Sequence, residues 1–260
     1  MVALKKTIVL KTKNNETKNS YMEVMKKLSE IKGFEIKVDD LFYAGMKIVE
    51  VIRKSYNEEK IKEKWEKLIE SVTNPNQDEA VYIRSHGRNG ASSDSMLILL
   101  ENVFNRSFSI DKTNNSQPKK LLKEFCCDNY QDYQISHIFE ERTNNPLLFT
   151  APWMVCYTPK IIDPFTGHET KGFSEYKEKF IDWAFDTNRE YIYKYNEIIF
   201  SYWVKLKEYI DNSACQDYTE KFNKRMIVTL APIVKEFEIL SKSEKEKKYI
   251  ELFQEKANKS

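Results

Sequence analysis

Glycine and proline are scarce, six and seven in 260 residues, where a typical chain carries ~7% and ~5% of them. So little chain punctuation excludes a linker-rich array or an all-β sandwich and favours long helices. No apolar run approaches the ~20 residues that cross a bilayer. The run Met96-Leu-Ile-Leu-Leu100 is short. The opening Met1-Val-Ala-Leu-Lys-Lys6 lacks an apolar segment ahead of a cleavage site, so the expected location is the cytoplasm, with no membrane partner. The four cysteines, 126, 127, 156 and 215, form no C-x-x-C pair. Two adjacent cysteines rarely share one tetrahedral ion, which argues against a zinc ribbon and for reduced, buried thiols. A dominant charge sign is also missing: 42 basic against 40 acidic side chains leave a formal charge of +2. Any nucleic-acid partner would therefore need a local basic groove rather than a globally basic surface.

What is present is a foldable, helix-rich chain, 41% hydrophobic and 32% charged. Tyr21, Val24, Met25 and Leu28 recur at helical spacing up to Gly33, and Phe34-Glu-Ile-Lys-Val38 alternates like a strand. Asp39 or Asp40 then caps a helix through Leu41, Met46, Val49 and Ile52. Another runs through Ile61, Trp65, Leu68 and Ile69 to Asn74-Pro75. A strand at Tyr82 leads into a glycine-bearing loop, and a helix from Asp94 to Phe104 follows. The eight polar or helix-breaking residues Asp111 to Pro118 predict a linker. They divide a helical region, 1–115, with a potential DNA-recognition role, from a second part, 116–260. Helices are expected at 119–125, along the stripe from Phe173 to Ile210, and at 218–240 and 243–259. The Lys242–Lys248 charges read as a solvated helix face.

Two of the three histidines lie within the segment Tyr130–Gly172, which also holds four prolines and little helical periodicity. Tyr133-Gln-Ile-Ser-His-Ile-Phe139 alternates like a strand and presents His137 at its end. Arg142-Thr-Asn-Asn-Pro146 is a loop, Leu147–Tyr157 supplies a second extended stretch, and Asp163–His168 is a turn before a helix. That order suits phosphodiester cleavage. A histidine titrating near neutrality can take a proton from water. One divalent ion held by His or Asn can neutralise the scissile phosphate. An amide such as Asn145 can set the imidazole tautomer or complete the metal shell. Trp153 and Cys156 read as packing beneath the site.

Ile135-Ser-His-Ile, Asn145-Pro, Phe149-Thr-Ala-Pro-Trp153 and Asp163-Pro-Phe-Thr-Gly-His-Glu169 resemble the His-Asn-His (HNH, ββα-metal) nuclease core of some type II restriction endonucleases. The resemblance covers residues 130–173. It implies an α+β, mostly helical fold with a small ββα-metal core embedded in helices, and a sequence-specific double-stranded DNA endonuclease. His137 would be the general base and His168 a metal ligand for Mg²⁺ or Mn²⁺. Asn145 would serve the base, the metal or both. The position after Pro152-Trp153, where the middle Asn is expected, holds Met154, and Ser136 stands where an acidic residue often precedes the first His. A homodimer and a separately encoded DNA methyltransferase would be the partners. The loop Arg84-Ser-His-Gly-Arg-Asn-Gly90 supplies side chains that pair with base edges: Arg84, His86, Arg88 and Asn89, joined by Arg142 and Asn144. A non-catalytic DNA-binding or regulatory protein on the same scaffold, or a ribonuclease, is the alternative. An acid-x-Lys nuclease site built from Asp163 and Glu175-Tyr-Lys177 fits poorly, because Glu175 falls inside the helical stripe.

Overall fold

A computed structural model describes residues 30, 37–85, 93–126, 130, 133–139, 142–166, 174–215 and 235–242. Residues 1–43 form one compact unit and residues 44–260 another. The described architecture is α+β and mostly helical, with two small sheets. Apart from residue 30, the expected helix at 20–33, the strand residues 34–36 and the helix at 243–259 lie outside the described residues.

Helix α1 spans Val38–Lys54. Val38 is therefore helical rather than the end of a strand, and Asp39 and Asp40 sit in its first turn, where carboxylates complement the helix dipole. Gly45 is required by packing. A Cβ there would run into the buried side chain of Ile162. Gly45→Ala is expected to cost about 1–3 kcal/mol through overpacking, more than the ~1 kcal/mol that alanine adds in helix propensity. Chemical denaturation of the variant measures the balance.

Helix α2, Glu58–Thr73, starts where its sequence says it should. The Asn57 side chain accepts the Lys60 N–H at 3.0 Å, and Asn74, extended ahead of Pro75, stops it. Ile61, Trp65 and Val72 are buried along one face. A parallel pair follows: β1 (Tyr82–Arg84) and β2 (Ser109–Asp111), joined through helix α3 (Ser93–Phe104) as parallel strands require.

The expected linker at 111–118 is a structured turn inside the second unit. Asp111, buried at 3% exposure, ends β2 and accepts the N–H groups of Thr113 (3.1 Å) and Gln117 (2.7 Å). Asn114 takes a left-handed conformation, φ 62°, which Asn tolerates. Its side chain accepts the Ser85 N–H at 2.7 Å. Polar residues here close the turn by bonding to the backbone, and helix α4 (Ser116–Phe125) leaves directly from it.

Strand β3 (Tyr133–His137) pairs antiparallel with β4 (Val155–Pro159), Ile135 opposite Tyr157 and His137 opposite Val155. The intervening segment is not extended throughout, because Pro146–Phe149 forms a short helix, α5. After β4 come a 3-10 turn (Lys160–Ile162) and a helical turn α6 (Asp163–Thr166). Helices α7 (Ser174–Thr187) and α8 (Arg189–Cys215) realise the long apolar stripe. Phe180, Ala184, Ile192, Tyr195, Ile199 and Leu206 are all at most 1% exposed. Residues 235–237 form a 3-10 turn and 239–241 are irregular, so the helix expected at 218–240 does not reach 240. Among the described residues no helix is long and apolar enough to cross a membrane.

Candidate catalytic hairpin

His137 closes β3 and faces the turn that leads to β4. Its Nε2 lies 3.0 Å from the carbonyl oxygen of Phe149, and its ring stacks on the Phe149 ring, centroids 5.6 Å apart at 14°. A carbonyl can only accept, so Nε2 carries the proton and Nδ1 keeps its lone pair. Burial in this apolar setting pulls the imidazole down to about 4, the Phe149 carbonyl pushes the other way, and Arg84 adds to the fall. At neutral pH the ring is uncharged, with the tautomer a proton acceptor needs.

This shift carries a stability signature. The unfolded imidazole binds its proton near pH 6.5 and the folded one only near 4, so protonation favours the unfolded chain. The folded state keeps its full advantage above pH 6.5, loses it as pH falls from 6.5 to 4, and levels off below, a total of about 3 kcal/mol. Unfolding free energies of wild type and His137→Gln, compared between pH 3.5 and 7.5, should diverge across that window. A constant difference would put the imidazole in water.

The loop after β3 is held by a buried polar cluster. Arg84, at the end of β1, donates through Nη1 to Thr143 Oγ1 at 2.7 Å. Asn144, 8% exposed, donates its N–H to Glu236 Oε2 at 2.8 Å and its Nδ2–H to Oε1 of the same carboxylate. Asn145, fully buried, uses Oδ1 to accept the Leu147 N–H at 2.9 Å, capping α5 with Pro146 at its first position. Its Nδ2 donates to Tyr195 Oη (2.9 Å) and to the Glu236 carbonyl (3.2 Å). Arg142 Nη1 reaches the Glu238 carbonyl at 3.4 Å. Glu236 is buried, which raises its pKa. The two Asn144 N–H groups and the charges of Arg142 and Arg84 work against that rise.

These contacts place the expected site residues that fall among the described ones. Asn145 caps α5, and its amide is engaged at both ends. Asn144 is clasped by a buried carboxylate and does not present its amide to a base edge. Arg84, expected on the loop with Arg88, bonds to Thr143 of the loop that carries Arg142. His86, Arg88, Asn89 and His168 lie outside the described residues. Glu236, Thr143 and Tyr195 were not singled out by sequence, and Glu236 carries no local signal: it meets Asn144 across 92 residues.

A divalent ion implied by the resemblance finds no shell among the described residues, where no three His, Cys, Asp or Glu groups gather to hold one. The Asp163 carboxylate accepts from Gln134 Nε2, and Met154, buried at 0% exposure, offers a thioether, not an amide.

The hairpin thus holds His137 with its Nε2–H on the Phe149 carbonyl, within a mostly helical α+β protein. The chain belongs to the family of the uncharacterised protein PM1201, which matches residues 56–235. It is 36% identical over 162 residues to the protein of that name from Pasteurella multocida (strain Pm70), covering 59% of this chain and 71% of that one. No solved structure matches.

Proposed function

We propose that this protein is a metal-dependent, sequence-specific double-stranded DNA endonuclease of a restriction system. His137 is the general base, and the reading carries with it a cytoplasmic location, a homodimer and a separately encoded methyltransferase. One observation supports it above the others: His137 ends the first strand of an antiparallel pair followed by helical turns, with Nε2–H held by the Phe149 carbonyl. In that tautomer Nδ1 can take the proton of an attacking water. Arg84 and Arg142 bring positive charge to the same loop, where a scissile phosphate would need it. Mg²⁺ or Mn²⁺, with His168 as ligand, enters through the resemblance alone.

A second reading is a DNA-binding or regulatory protein on the same scaffold without cleavage. Met154 at the expected amide position and the engaged amide of Asn145 favour it. Incubating the purified protein with unmethylated duplex DNA and Mg²⁺ or Mn²⁺ separates the readings. Discrete fragments are the expected result. A smear would make the nuclease nonspecific, retained binding without cleavage would favour the scaffold reading, and cleavage confined to RNA would make it a ribonuclease.

A further inference from the structure

We propose that Glu236 is a positioning residue for His137, acting through the loop 142–145 and the short helix α5 to hold the imidazole in its Nε2–H tautomer. The inference rests on the nuclease reading only for its consequence in catalysis; the positioning itself is a statement about the folded protein. Each link is a contact. The Glu236 carboxylate grips both the main-chain and the side-chain N–H of Asn144, and the Glu236 carbonyl accepts from Asn145 Nδ2. Asn145, held also by Tyr195 Oη, caps α5 through the Leu147 N–H at 2.9 Å. The last residue of α5, Phe149, supplies both the carbonyl that accepts from His137 Nε2 and the ring on which the imidazole stacks.

The geometry explains why a carboxylate is buried here at all. A desolvated charge is costly unless its oxygens are satisfied, and two N–H donors from one asparagine do this while fixing the loop backbone. A helix as short as Pro146–Phe149 cannot hold itself in place, since an isolated turn does not overcome its nucleation cost. Its capping residue must be anchored from outside. The segment 235–240 provides that anchor from more than 90 residues away. A carbonyl shifted by even 1 Å would release Nε2, let the imidazole exchange tautomers and divide the Nδ1 lone pair between two orientations.

The test reads the ring directly. ¹⁵N-histidine labelling and NMR report the tautomer and titration of each imidazole, and a His137→Gln sample identifies the His137 signal among the three. Wild type should show protonated Nε2 and bare Nδ1 down to about pH 5. Glu236→Ala should move His137 toward a tautomer mixture titrating closer to 6.5, whereas Glu236→Gln, which can still accept the Asn144 main-chain N–H, should stay near wild type. If Glu236→Ala fails to fold, the milder Asn144→Ala should give a smaller shift in the same direction. An unchanged tautomer and titration in a folded Glu236→Ala or Asn144→Ala protein would overturn the proposal. Where wild type cleaves DNA, Glu236→Ala should lower kcat about tenfold to a hundredfold with little change in KM, and Glu236→Gln should restore it. A tautomer shift in a protein that never cleaves would leave the positioning role standing and sink the nuclease reading instead.

Discussion

His137→Ala is expected to reduce DNA cleavage by roughly 10²–10⁴-fold, the usual contribution of a general base, while DNA affinity stays near wild type. Affinity for duplex DNA comes largely from phosphate contacts, and an uncharged imidazole adds little to them. Cleavage and gel-shift measurements on the same preparation check both halves. Activity within tenfold of wild type would remove His137 from the mechanism. The pH profile offers an independent view. With its imidazole pulled down to about 4, His137 remains unprotonated well below the ordinary histidine range. The acid limb of kcat/KM should therefore appear near pH 4–5 rather than near 6.5.

The second large effect is on stability. Trp153, 1% exposed, meets Trp65 of α2 edge-on at 5.5 Å between centroids and lies parallel to Tyr191 of α8 at 6.3 Å. It ties the hairpin to two long helices at once. Trp153→Ala is expected to destabilise the protein by about 3–5 kcal/mol, lowering Tm by roughly 10 °C in a chain of this size. Trp153→Phe should lose far less. It keeps an aromatic ring in the same space and removes an indole N–H that finds no acceptor among the described residues. Thermal and denaturant unfolding of the two variants would show the difference. Equal losses would mean that the indole's full size, not the presence of a ring, holds the helices.

Both predictions concern residues whose surroundings were only partly legible in sequence. His137 was placed at a strand end by simple alternation from Tyr133, and β3 ends there. Trp153 reads as packing, and the two ring contacts bear that out. Asn145 carries a second, structural signature beside its chemical one. Asn followed by Pro is the local signature of a helix cap with proline at the first position, and the structure uses it that way. The position of its amide is set by the next two residues and by Tyr195.

The run Asp111–Pro118 shows the same limit. Composition alone reads eight polar or breaking residues as a linker. The side chains of Asp111 and Asn114 instead satisfy the backbone of the turn and of Ser85. A polar residue looks alike in sequence whether it bonds to water or to a main-chain N–H.

The sequence by itself determined the helix-rich class, the helix through Ile61 and Trp65 with its stop at Asn74, the buried stripe of α7 and α8, and the strand carrying His137. Each follows from periodicity or capping within a few residues, where the chain's own geometry is decisive. Only the tertiary structure decided which groups surround that histidine. The Phe149 carbonyl is 12 residues away, Arg84 reaches Thr143 across 59 residues, and Glu236 grips Asn144 across 92. The tautomer and basicity of an imidazole depend on desolvation and on the nearest charges and acceptors. Those are properties of neighbours in space, and no local pattern in the chain encodes them.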